Sequence, residues 1–177
     1  MKWLRGTVGL IVAVIAIAFV YQGLFGNEEV VPRLVSSEPV AVIGSGSSAV
    51  AVAADGTILA WLPPPKDGSL PKLSLESPPK GPRLKGPVLE QARVLGAAPV
   101  GLRPYLESSY YGESGVDVVL NSGIELRFGD ASQVGKKWRA AAAVLADPSV
   151  TALDYVDLHA PGRPAIHGSS HYLPAAP

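Results

Sequence analysis

Val116-Asp117-Val118-Val119-Leu120-Asn121-Ser122-Gly123-Ile124-Glu125-Leu126-Arg127-Phe128 is the stretch that decides the fold class. Two apolar runs flank Asn121-Ser122-Gly123, residues that favour a turn, so the stretch predicts strand, turn, strand. In the second run Ile124, Leu126 and Phe128 share one side, and Glu125 and Arg127 the other. That period of two belongs to a sheet with one buried face. Downstream, Asp130 followed by Gln133 predicts a helix start of the capping-box kind. Val134, Trp138, Ala141 and Leu145 fall at i, i+4, i+7 and i+11 and form one apolar helical face. Lys136, Lys137 and Arg139 sit mostly off that face and read as solvated. Asp147-Pro148 ends the helix. Thr151 to His159 returns as a strand, Ala160-Pro161-Gly162-Arg163 turns, Pro164 to Gly168 adds a last short strand, and 169–177 reads as a flexible tail.

Upstream, Tyr105 to Tyr111 alternates as a strand. Pro87 to Leu95 predicts a short helix, with Pro87 in its first turn, Gly96 as its C-terminal cap, and Val88, Ala92 and Leu95 on one face. A short turn follows at Val100 to Arg103. Residues 63–87 are too rich in proline for regular structure and read as an extended surface segment. Ala49 to Ala53 and Thr57 to Leu62 flank Asp55-Gly56, a hairpin signal. Pro39 to Ile43 reads as a strand, and Gly44-Ser45-Gly46-Ser47-Ser48 as a flexible turn. Strand pairs, helix and strands in this order predict an α+β domain: a mixed, largely antiparallel sheet with helices packed on one face.

From Gly6 to Gly26 the chain carries no charge. Val8, Leu10, Ile11, Val12, Val14, Ile15, Ile17, Phe19 and Val20 form its apolar body. A helix of about 20 residues reaches across a bilayer's hydrocarbon core. Lys2 and Arg5 precede it, and Glu28 and Glu29 follow. The positive-inside bias therefore leaves residues 1–5 in the cytoplasm and sends the remainder across the membrane. Ala16-Ile17-Ala18 has the small-x-small form of a signal-peptidase site. The apolar stretch continues past it through Phe19, Val20, Leu24 and Phe25, so the segment reads as an uncleaved single-pass anchor in the lipid bilayer.

The chemistry of the remaining residues excludes several functions. Formal net charge is zero, so no basic field for nucleic acid exists. There is no cysteine, which removes disulfides, thiolate zinc sites and thiol nucleophiles. His159, His167 and His171 crowd the C-terminus, but no carboxylate completes a ligand set and they read as surface histidines. Asp154 and Asp157, three apart on a strand, point to opposite faces and cannot share a substrate. The Gly44–Ser48 run lacks the Lys and helix of a phosphate loop. No serine stands in a nucleophile-elbow context. The expectation is a protein without catalytic residues, metal, cofactor or small-molecule substrate. An exported hydrolase would need a convergent His/Asp/Ser set, which the spacing does not supply.

Val118 to Gly129, Lys137 with Leu145, and Tyr155-Val156-Asp157-Leu158 together resemble the C-terminal part of the FtsQ/DivIB family of bacterial cell-division proteins. Glu38-Pro39-Val40-Ala41 looks like that family's junction, Asp55-Gly56-Thr57-Ile58-Leu59 like its Asp-Gly segment, and Leu70-Pro71-Lys72-Leu73 like the Leu-Pro that follows. The family places a POTRA domain between anchor and β domain. Residues 27–54 are too few for one and read as a linker with the remnant of a truncated POTRA-like region, ahead of a β domain at 55–168. The resemblance implies a non-catalytic scaffold, placed at the division septum, that binds FtsB- and FtsL-type (DivIC-type) partners by strand addition at the edge of the C-terminal sheet. It carries the partner contacts onto Leu158, His159, Arg163, Ala165, Ile166 and His167. The rival reading is a generic exported, membrane-tethered binding module with no division role.

Overall fold

A computed structural model describes residues 38–65, 68–75 and 79–173. The anchor expected at 6–26 lies outside these residues. Among the described residues no helix is long and apolar enough to cross a membrane.

The β-rich segment forms as its alternation predicts. Strand β6 (Gly115–Leu120) pairs antiparallel with β7 (Glu125–Gly129), with Val118 opposite Leu126 and Asp117 opposite Arg127. The Gly123 amide donates to the Leu120 carbonyl, and Gly123 takes φ 89°, a left-handed conformation that favours glycine. Val116, Val118, Ile124, Leu126 and Phe128 are all fully buried. Strand β5 (Leu106–Gly112) pairs with the other side of β6.

Nine strands make one mixed sheet in the order β3-β2-β1-β4-β5-β6-β7-β8-β9. The others are β1 (Pro39–Ile43), β2 (Val50–Ala53), β3 (Ile58–Leu59), β4 (Lys72–Leu73), β8 (Ala152–Asp157) and β9 (Ala165–Tyr172). The pairings β1–β4, β4–β5 and β7–β8 are parallel, and the remaining ones antiparallel. The sheet therefore takes in Pro39 to Ala53, which the sequence reading set ahead of the domain.

Strand β4 is the element the proline-rich stretch concealed. It joins the two halves of the sheet by lying between β1 and β5. Proline cannot donate but its carbonyl still accepts, and the Pro71 carbonyl takes the Val42 amide at 2.9 Å. Leu73 then fills the core.

Helix α1 (Gly86–Gly96) starts with proline in its first turn and buries Ala92, Val94 and Leu95. Gly96 does not cap it: the last turn runs on to Ala97 in the right-handed region. Its missing side chain instead admits Ala54, because a Cβ at Gly96 would overlap Ala54. Helix α2 (Val134–Leu145) buries Trp138 and Ala141 as its periodicity predicts. Both helices share one core with the sheet. The Trp138 indole ties them together, donating from Nε1 to the Val94 carbonyl at 2.8 Å.

Three expectations near α2 and the C-terminus differ from the structure. Asp130 makes no capping box. Gln133, at φ 49°, precedes the helix, while Asp130 accepts from the Ser132 amide and hydroxyl and from Lys137. Lys137 is not solvated but buried, with Nζ donating to the Phe128 carbonyl (2.7 Å), the Asp130 carbonyl (3.0 Å) and Asp130 Oδ1 (2.7 Å). Three donors meet three acceptors, so the buried ammonium is satisfied. Finally, the last strand continues through Ser169 to Tyr172, where a tail was expected.

Candidate functional site

A strand at the end of a sheet leaves a row of backbone donors and acceptors unpaired, a template for another strand. The two ends of this sheet differ. At one end β3 is two residues long, and a following segment covers it. The Ile58 amide donates to the Pro82 carbonyl, Thr57 bridges to Arg83, and Arg83 pairs with Asp55 at 3.1 Å. At the other end β9 runs for eight residues and pairs only with β8. All of β9 is exposed except the half-buried His171, and Ile166 and Tyr172 present 50% and 77% of their surface.

A line of polar side chains crosses the sheet toward this edge. The Tyr110 hydroxyl on β5 donates to Glu125 Oε1 on β7 at 3.0 Å. Arg127 donates to Glu125 Oε2 at 3.0 and 3.3 Å, and its guanidinium lies 3.6 Å over the Tyr155 ring of β8. Tyr155 in turn stacks on His167 of β9, with ring centroids 5.1 Å apart. Burial first, then the Glu125 bond and the nearby carboxylates, push the Tyr110 hydroxyl up to about 12. It stays a donor at any physiological pH. Cation–π contact and stacking thus set His167 in place on the edge strand.

His159 fixes the closed end of the β8–β9 hairpin. Its Nδ1 faces Asp157 Oδ1 at 2.7 Å, and its Nε2 faces the Ser114 carbonyl, in the β5–β6 turn, at 3.0 Å. Both acceptors are oxygens, so only the doubly protonated ring satisfies both. The Asp157 bond, followed by the Ser114 carbonyl, accordingly raises the imidazole above its ordinary value. The ring lies against Gly129, where a Cβ would come within 2.6 Å of it. Because the folded value is raised, this contribution is complete below about 6.5 and disappears as pH rises through the folded value. Denaturant unfolding from near-neutral to alkaline pH checks this: wild type loses stability across that window, and His159→Leu, less stable at neutral pH, shows no such fall.

At its far end β9 carries a bulge. Leu153 opposes His171 and Tyr155 opposes His167, so Asp154 alone faces Gly168, Ser169 and Ser170. Asp154 Oδ1 accepts the Ser170 amide at 2.8 Å. Gly168 takes φ 85°, and a Cβ there would overlap the Asp154 carboxylate.

The structure brings Ala165, Ile166 and His167 together on β9, with Arg163 exposed in the preceding turn. Leu158 is different: it is fully buried, so it supports the hairpin from the core and offers no surface. His159 is a fastening residue rather than an edge residue. Asp157 supports the turn, its Oδ1 accepting the His159 amide at 2.9 Å, and Gly44–Ser48 is a link between β1 and β2. Of the three cations read as solvated on α2, Lys136 and Arg139 are exposed and Lys137 is buried. The sequence assigns no edge role to Arg127, Tyr155 or Tyr172, and raises Asp154 only as one of a possible pair of acids. Gly168 inside a strand was the available signal for the bulge. Among the described residues, no group of three or more His, Asp or Glu side chains is placed to hold a metal ion.

These features describe a small α+β domain organised around one open sheet edge. The family model of the cell division protein FtsQ/DivIB, C-terminal, matches residues 41–159, about two thirds of the 177 residues, and the chain belongs to that family. Its role is accordingly in cell division, among the non-enzymatic proteins of the division complex. The match ends at His159, at the turn that leads into β9. No curated protein matches the chain.

Proposed function

We propose that the protein is a single-pass, membrane-anchored scaffold of the bacterial division complex. Residues 6–26 serve as its anchor, with the N-terminus in the cytoplasm and the sheet domain on the far side. Its partners are FtsB/FtsL-type (DivIC-type) division proteins, bound when one of their segments adds as a strand to β9. The observation that carries this reading is the eight-residue exposed edge of β9, set against a β3 edge that is short and covered. Strand addition draws affinity from main-chain hydrogen bonds and specificity from alternate side chains. Lys2 and Arg5, ahead of the uncharged, apolar 6–26 stretch, support the topology.

Two experiments test it. A fluorescent fusion at the N-terminus gathers at mid-cell before constriction; uniform membrane fluorescence opposes the reading. Ile166 is half exposed, so Ile166→Lys leaves the fold within about 0.5 kcal/mol. A lysine on an edge opposes strand pairing, and the expected loss of affinity for an FtsB-type partner is about tenfold or more, or 1.4 kcal/mol. Unchanged capture by the variant would sink the β9 assignment.

A further inference from the structure

An open edge that accepts one strand accepts others, including a second copy of itself, unless something in its geometry prevents it. A regular strand advances about 3.3 Å per residue. Two residues of β9 are surplus to its pairing with β8, since three residues face Asp154 alone. A regular incoming strand can therefore follow Ala165–His167 or His171–Tyr172, but not both in one register.

The bulge is held rather than tolerated. The Ser170 amide turns back to the Asp154 carboxylate instead of joining a ladder. Gly168 supplies a positive φ and leaves room for that carboxylate. Ser170's amide and side chain, in that order, hold the Asp154 carboxyl below its ordinary value, with His171 and His167 adding smaller attraction. Side chains on both sides of the bulge keep their faces, because the surplus is an even number of residues.

We propose that Asp154, by pinning the Gly168–Ser170 bulge, is the specificity-determining residue of the β9 edge: it denies the edge to a second copy of this chain and confines an incoming strand to Ala165–His167. The second half of this statement rests on β9 being the partner site. The first half does not.

The test uses the full-length chain in mild detergent, with self-association followed by sedimentation velocity and the fold by circular dichroism. Asp154→Ala removes the acceptor, while Asp154→Asn keeps an oxygen for the Ser170 amide. A deletion of Gly168 and Ser169 removes the two surplus residues and leaves a regular edge. Asp154→Ala and the deletion should self-associate about tenfold or more tightly than wild type. Asp154→Asn should match wild type, and Ile166→Lys placed in the deletion background should restore wild-type behaviour. Should Asp154→Ala unfold, the deletion carries the test, since it relieves rather than imposes strain. A folded deletion variant that sediments as wild type does overturns the proposal, as does a wild type that already self-associates through β9. A guarded β9 that captures no division protein would refute the partner site and leave the guard intact.

Discussion

Trp138→Ala lowers the unfolding free energy by about 3–5 kcal/mol, a large fraction of the about 5–15 kcal/mol by which a domain is stable. Trp138 is 1% exposed, its ring sits 4.7 Å from that of Phe128, and it belongs to the core shared by both helices and the sheet. Truncation leaves a cavity bounded by a strand, a helix and a second helix, elements that cannot all move in to fill it. It also removes the bond from Nε1 to the Val94 carbonyl, the one link described between α1 and α2 side chain to backbone. Trp138→Phe keeps most of the volume and loses that bond, so it costs about 1–2 kcal/mol. Urea unfolding of the two variants checks both figures, with midpoints falling in that order and slopes unchanged. Equal losses would mean that the bond, not the volume, dominates.

Gly115→Ala is the second large effect, about 3–5 kcal/mol, from the smallest possible side chain. Gly115 takes φ 111°, outside what L residues adopt readily, and its Cβ would overlap the Gly129 carbonyl oxygen and lie 2.7 Å from Gly129 Cα. Strain of about 1–3 kcal/mol adds to overpacking of about 1–3 kcal/mol, and the obstacle is backbone that cannot rotate away. The β5–β6 and β6–β7 pairings meet here, with Gly112 opposite Gly115 and Val116 opposite Gly129. The control is Gly135→Ala on helix α2, where the nearest atom is 3.8 Å away at the end of Arg139. That change stabilises by up to about 1 kcal/mol. Thermal denaturation of the pair should move in opposite directions, and a Gly115→Ala protein as stable as wild type would mean that this crossing of strands is loose.

The elements most legible in the sequence are those whose burial has a period. Ile124, Leu126 and Phe128 alternate because one face of β7 is core, and Trp138 and Ala141 recur because one face of α2 is core. Legibility fails where that cause is missing. Strand β9 is exposed on both faces, so no alternation marks it, and Gly168 with two serines reads as an end rather than a bulge. Strand β4 is two residues long inside a proline-rich stretch, and its place depends on carbonyls that composition does not reveal. Lys137 sits off the apolar face by helical phase, yet it turns inward because the Phe128 and Asp130 carbonyls converge below it. The same lysine draws Asp130 away from the helix start, so a capping pattern was present and a capping box was not.

Of the candidate site, the edge residues Ala165, Ile166 and His167 were reached through family resemblance and meet on one strand. Their support was not legible. Arg127 and Tyr155 hold His167 from neighbouring strands, through contacts between residues 28 and 12 positions apart. His159 and Ser114 are 45 positions apart. Such pairs become visible only when the topology is known.

The most direct measurement is site-specific photo-crosslinking in dividing cells, with the reactive side chain at Ile166 on β9 or at Val100, which is 76% exposed in a connecting turn. Adducts with FtsB- or FtsL-type division proteins from Ile166, and none from Val100, are the predicted result. Adducts from Val100 with none from Ile166 would contradict the account, placing the partner surface away from the sheet edge.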